Sequence, residues 1–187
     1  MVHIHCGRGL GDYNRISQPG QVQGLAWSMA KPYTLHPENS PWICMFSPET
    51  WEICRNNGYA HAAFTKARGK SAGRIREGDI LFAYVSKRMA IAGALIANSA
   101  CAFDDEFSVY GPPGQFPYRL SCQPLAILPL NEEIKLADHF HRISIFSGLR
   151  DGRYWPVCLR NSPRDLRRRD SDYLLSLFPD SYFEAYA

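Results

Sequence analysis

Trp42-Ile43-Cys44-Met45-Phe46 runs directly into Ser47-Pro48-Glu49-Thr50-Trp51, and the change of pattern at Ser47 decides the fold. Five apolar residues, two of them aromatic, have the length of a buried strand. Then come a hydroxyl able to accept from the next turn's amides, a proline whose missing N–H costs nothing there, and an acid at the positive end of the helix dipole. A helix is expected to run from this start to Asn57 and to stop at Gly58. It would bury Trp51, Ile53 and Cys54 and turn Glu52, Arg55 and Asn56 to water.

Downstream, residues 59–74 read as an exposed basic loop carrying a few rings. Glu77-Gly78-Asp79 signals a tight turn, and the apolar runs Ile80 to Val85 and Ala90 to Ala97, joined by Ser86-Lys87-Arg88, predict a β-hairpin. An acidic and aromatic loop, Phe103-Asp104-Asp105-Glu106-Phe107, precedes a further strand over Tyr118 to Leu128, where Tyr118, Leu120 and Cys122 alternate with Arg119, Ser121 and Gln123. Val157 to Arg160 is expected to form a last strand. Asp170 is expected to cap a helix with Tyr173, Leu174, Leu177 and Phe178 on one face. Antiparallel hairpins among short helices, with no long βαβ crossover, predict an α+β fold around a compact, mostly antiparallel mixed sheet.

The chain's 187 residues suit one domain. Residues 1–40, broken by glycines and prolines, read as an irregular extension, 41–178 as the domain and 179–187 as a tail. The uncharged, largely apolar stretch Met89 to Phe103 is too short and too interrupted to cross a bilayer. His3, His5, Arg8 and Asp12 stand where a secretory signal would be apolar, so a cytoplasmic protein with no membrane partner is expected. No C-x-x-C occurs among the six cysteines, which read as reduced residues in or near the core.

The net charge is only +3, yet it is unevenly spread. Lys66 to Arg88 holds seven basic residues against Glu77 and Asp79, and Arg142 to Asp170 holds eight arginines against three aspartates. Arginine favours bidentate pairing with planar anions such as phosphate, so a surface that tracks a nucleic-acid backbone beside exposed rings competes with an ordinary solvated face. Catalytic patterns are missing: there is no G-x-S-x-G, H-E-x-x-H, Walker A loop or dinucleotide loop. Asp104-Asp105-Glu106 could attract a divalent cation but equally reads as a turn, and His3-x-His5-Cys6 lacks a partner pair. No cofactor or metal is expected.

Five segments in order, 42–52 (WICMFSPETWE), 75–85 (IREGDILFAYV), 91–95 (IAGAL), 116–120 (FPYRL) and 155–166 (WPVCLRNSPRDL), resemble the EVE domain over about residues 41–178. The resemblance implies a PUA-like β-barrel flanked by short helices, similar to YTH domains. It also implies a non-catalytic reader of a modified nucleobase, with modified cytosine in DNA the leading case. Such a base leaves its stack and enters a pocket. Ser47, Trp51, Tyr59, His61, Phe64, Tyr84 and Asp104 are the candidate pocket residues: rings for stacking, Ser47 and Asp104 for the base edge. Lys66, Arg68, Lys70, Arg160, Asn161, Ser162 and Arg164 are the candidate phosphate contacts. Related sequences often carry a tryptophan after the first helix where this chain has Tyr59-Ala60-His61-Ala62, so Tyr59 or His61 supplies a smaller ring or the base preference differs. The family's role in modification-dependent restriction implies a nuclease or ATPase partner. An RNA-binding PUA-like module, and a small hydrolase of modified nucleosides using His61, Lys66 or Asp104, are the alternative readings.

Overall fold

The computed structural model describes residues 33–149 and 152–183. Strand β1 (Pro41–Phe46) ends at Ser47, whose hydroxyl accepts from the Thr50 amide while Thr50 returns the bond to the Ser47 amide. This reciprocal cap starts helix α1 (Pro48–Asn56). Gly58 follows at φ 62°, in the left-handed region that ends helices cheaply when no Cβ is present. Tyr59 takes the same region at φ 60° and turns the chain into β2 (His61–Phe64).

Residues 59–74 are thus more than a basic loop. They contain β2, a 3₁₀ turn over Lys66–Arg68 and the single-turn helix α2 (Gly69–Ala72). Ala62 and Phe64 are buried while His61 and Ala63 are half-exposed, a period of two that alanines do not advertise. The hairpin β3 (Ile80–Val85) and β4 (Ala90–Ala97) lies where expected. After the short β5 (Ala102–Phe103), β6 (Tyr118–Ile127) is followed by β7 (Ile134–Lys135). The strand expected over Val157 to Arg160 is instead helix α3 (Trp155–Cys158) and a 3₁₀ turn. Trp155 and Leu159, four residues apart, are both buried, which is helical spacing, and Pro156 sits in the first turn. The pairing strand comes later, as β8 (Arg164–Asp165). Helix α4 (Arg168–Leu175) starts with Asp170 at its third position rather than as the cap: its carboxylate accepts from the Arg167 amide.

The strands form one curled, mixed sheet in the order β2-β6-β4-β3-β1-β8, with β5 on β6 and β7 on β4. Together with the short helices this is the α+β half-barrel of the PUA-like architecture. Among the described strands only β1 and β3 run parallel, joined by a crossover through α1, β2 and α2, because β2 leaves for the far edge to pair with β6. β3 is buried on both faces. Leu81, Ala83 and Val85 pack with Trp42, Trp51 and Leu120, whereas Ile80, Phe82 and Tyr84 pack with Trp155, Leu174 and Phe178. Leu35 is buried in the second cluster, and the Arg168 guanidinium donates to the carbonyls of Leu35, His36, Pro37 and Asn39. The residues just before β1 therefore pack as part of the domain. Among the described residues no helix is long and apolar enough to cross a membrane. Cys44, Cys54 and Cys122 are buried thiols.

Candidate nucleic-acid interface

The two cation-rich segments, about ninety residues apart, meet in space. The Arg68 Nη2 donates to the carbonyl of Arg160 at 2.9 Å, joining the turn after β2 to the segment before β8. Arg74 adds a 3.4 Å pair with Asp165 and lies 5.2 Å above the Trp42 ring. Both ends of that ion pair are mostly exposed, so its contribution to stability is small and its cation stays near solvent. Lys66, Lys70, Arg160 and Asn161 are exposed along this surface. Arg164 is half-buried and donates to the Cys158 carbonyl at 3.0 Å. Ser162 departs from the expected phosphate role. It is 8% exposed, its hydroxyl donates to the Ile43 carbonyl and accepts from the Met45 amide, and it fastens the C-terminal segment to β1.

The seven candidate pocket residues do not converge on one place. Ser47 caps α1, its hydroxyl engaged by Thr50. Phe64 is packed in the barrel core, and Tyr84 lies in the opposite core cluster with its ring against Trp155 at 5.9 Å, so Tyr84 is no pocket wall. Trp51, 3% exposed, packs between Phe46 and Tyr59 at ring distances of 5.2 and 5.4 Å. Trp51 and Tyr59 together line a cavity of about 530 Å³. Behind Trp51, Gly93 lets β4 lie close to β6: a Cβ there would meet Ile127 at 2.9 Å and the Ala126 carbonyl at 3.0 Å.

His61 and Asp104 belong to a second cluster on the open edge of the sheet. The His61 carbonyl accepts from the Tyr110 hydroxyl and from the Cys54 thiol, which anchors the start of β2. Its imidazole packs edge-to-face on Phe107 at 5.6 Å, and the buried Nδ1 has no hydrogen-bonding partner among the described residues. Arg119, on β6, places its guanidinium 5.5 Å from the Phe107 ring centre and donates from Nε to Asp104 at 2.7 Å. That bond holds the Asp104 carboxyl below the usual aspartate range. Asp104 is therefore an ionised acceptor paired to the cation that lies over Phe107, the ring on which His61 packs. Such a group can stack a planar ligand and accept from an exocyclic amine. Phe107 and Arg119 were not among the sequence candidates. Their signal was present: Phe107 closes the acidic loop, and Arg119 lies on the outward face of an alternating strand.

No family model matches the chain, and no curated protein matches it in sequence. Solved structures do. The YTH domain of Pho92, determined in complex with m6A, is 11% identical, covers 81% of this chain and 94% of that one, and superposes with a TM-score of 0.54. Rpa0253 from Rhodopseudomonas palustris is 17% identical, with 74% and 92% of the chains covered and a TM-score of 0.46. The YTH domain of Zygosaccharomyces rouxii MRB1, in complex with N6-methyladenosine RNA, is 13% identical, with 83% and 96% covered and a TM-score of 0.47. The chain thus shares the fold of the Pho92 YTH domain, and at this identity the likeness is one of fold.

Proposed function

We propose that this chain is a non-catalytic, EVE-type reader of a modified base in nucleic acid. One arrangement carries the reading. The edge strand β2 begins at His61, which packs on Phe107; Arg119 lies over the same Phe107 ring and pairs with Asp104, and β2 leads on to the basic turn at Lys66–Arg68, which is joined to Arg160. At about 3.3 Å per residue, His61 and Lys66 are within roughly 17 Å. That span is short enough for one strand to place a base on the rings while its neighbouring phosphates meet the cations. The shared fold with an m6A-binding YTH domain supports the same reading.

The base leaves its stack, lies against His61 and Phe107, and gives its exocyclic amine to Asp104, with Arg119 donating to a ring acceptor. Cytosine carries such an amine beside such acceptors, and modified cytosine in DNA is the proposed target. Cleavage, where it follows, falls to a partner nuclease or ATPase in a restriction system. The Arg119 guanidinium holds Asp104 as a carboxylate, the form that accepts from a base's amine. His61→Ala and Phe107→Ala are each expected to weaken binding of the preferred oligonucleotide by about 1–3 kcal/mol, the value of one stacking partner. Titration of the folded variants by fluorescence anisotropy checks this, and wild-type affinity in both would move the base elsewhere.

A further inference from the structure

The cavity beside Trp51 and Tyr59 is separate from the edge cluster and has its own polar floor. There the Arg88 Nη1 contacts the Glu133 carboxylate at 3.1 Å. The Glu133 side chain is 1% exposed and that of Arg88 19%. The pair is under-satisfied: Arg88 Nε and Nη2 and Glu133 Oε2 are buried with no hydrogen-bonding partner among the described residues. Unmade bonds on buried charged groups are costly, so a ligand toward which these side chains turn gains more than it would at the surface. Nε and Nη2 form one edge of the guanidinium, a two-donor fork. Glu133 Oε2 is an unpartnered acceptor of the same ion pair. The cavity's two carboxylates, Glu133 and Glu52, are matched by Arg88 and Arg55, so it carries no net charge to hold an anion, while the walls of Trp51, Tyr59, Ile127 and Leu128 are flat or apolar.

We propose that this cavity is a second binding site, for a neutral planar heterocycle of nucleoside size. The ligand's edge would carry acceptors for the Arg88 fork and an N–H donor for Glu133, and its ring would lie on Trp51 or Tyr59. In the bound state the guanidinium turns its free edge to the ligand. Burial raises the Glu133 carboxyl above the usual glutamate range, and Arg88 opposes that rise. The volume of about 530 Å³ is within the range of small-ligand pockets.

The test is isothermal titration of the full chain with free cytidine, uridine and guanosine, with benzoate as a planar anion lacking the donor. At least one nucleoside is expected to bind and benzoate is not. Arg88→Met strands a buried carboxylate and endangers folding, so the informative variant is Arg88→Met/Glu133→Leu, which replaces the pair by apolar volume. It is expected to lose at least about tenfold in nucleoside affinity, the effect of one or more charge-assisted bonds, with an unchanged circular dichroism spectrum. Leu130→Trp, at a mostly exposed position on the rim, should block entry without touching the pair. Binding by none of the nucleosides, equal binding of benzoate, or wild-type affinity in the folded double variant would each overturn the proposal. His61→Ala should leave nucleoside binding intact. This separates failure of this site from failure of the base-reading site.

Discussion

Replacing Asp79 by alanine is expected to remove more stability than any change at the proposed interface, and the hydrogen bonds say how much. The side chain is 2% exposed at the entry to β3. One oxygen accepts from the Ser40 amide at 2.7 Å, and the other accepts from the Trp42 indole at 2.8 Å and the Arg76 amide at 2.9 Å. Ser40 and Arg76 are exposed residues, so water can replace the lost acceptor at about 0.5–1 kcal/mol each. Trp42 is 2% exposed, and its N–H would stay buried and unpaired, costing about 1.5–3 kcal/mol. The total is roughly 2.5–5 kcal/mol out of a usual 5–15. In urea, with a slope near 2 kcal/mol per molar, the midpoint should fall by about 2 M. A cycle with Trp42→Phe should return a coupling of about 1.5–3 kcal/mol. A midpoint within about 0.5 M of wild type would mean that the Asp79 carboxylate does not hold these donors. So would additive single effects, because then the carboxylate would not be what holds the indole and ties β1 to β3.

Lys66→Ala/Lys70→Ala should make the dependence of log affinity on log salt shallower by about 1.4 on single strands and 1.8 on duplex, measured by anisotropy at several salt concentrations. An unchanged slope would remove these two lysines from the phosphate contacts. Asp104 should titrate below the ordinary aspartate range by carboxyl NMR, and Arg119→Ala should return it there. Because its folded value is depressed, its contribution to stability is present above the unfolded pKa and is lost as pH falls through the folded one. In Gly69→Ala the new Cβ would lie 2.3 Å from Tyr118 Cζ, forcing that ring off its 5.3 Å edge contact with Phe103. Thermal denaturation should show a loss of about 1–3 kcal/mol, the usual cost of overpacking.

The start of the domain was legible because its signals are local. The apolar run of β1, the Ser47-Pro48 cap and the glycine stop after α1 each act within a few residues, and the structure places the helix end one residue from the expected one. The β3–β4 hairpin was legible for the same reason. β2 was not, since His61-Ala62-Ala63-Phe64 is a strand only because β6 offers it an edge. Val157 to Arg160 misled because apolar residues beside Pro156 fit a strand until Trp155 and Leu159 are buried together. At the site, residue types were readable and partners were not. Tyr84 and Trp51 are both aromatic and buried, yet they face opposite sides of the sheet. Ser162 lies in a basic segment but bonds β1. Arg88 and Glu133 are 45 positions apart, and nothing local marks them as a pair.

The central claim is tested most directly by titrating the chain's tryptophan fluorescence with matched short oligonucleotides containing cytosine, 5-methylcytosine, 5-hydroxymethylcytosine, adenine or N6-methyladenine, as DNA and as RNA, at two salt concentrations. Modified-cytosine DNA is expected to bind more tightly than its unmodified match, with binding that weakens with salt and is lost in His61→Ala/Phe107→Ala. Equal affinity for modified and unmodified strands, with the protein folded, would contradict the claim.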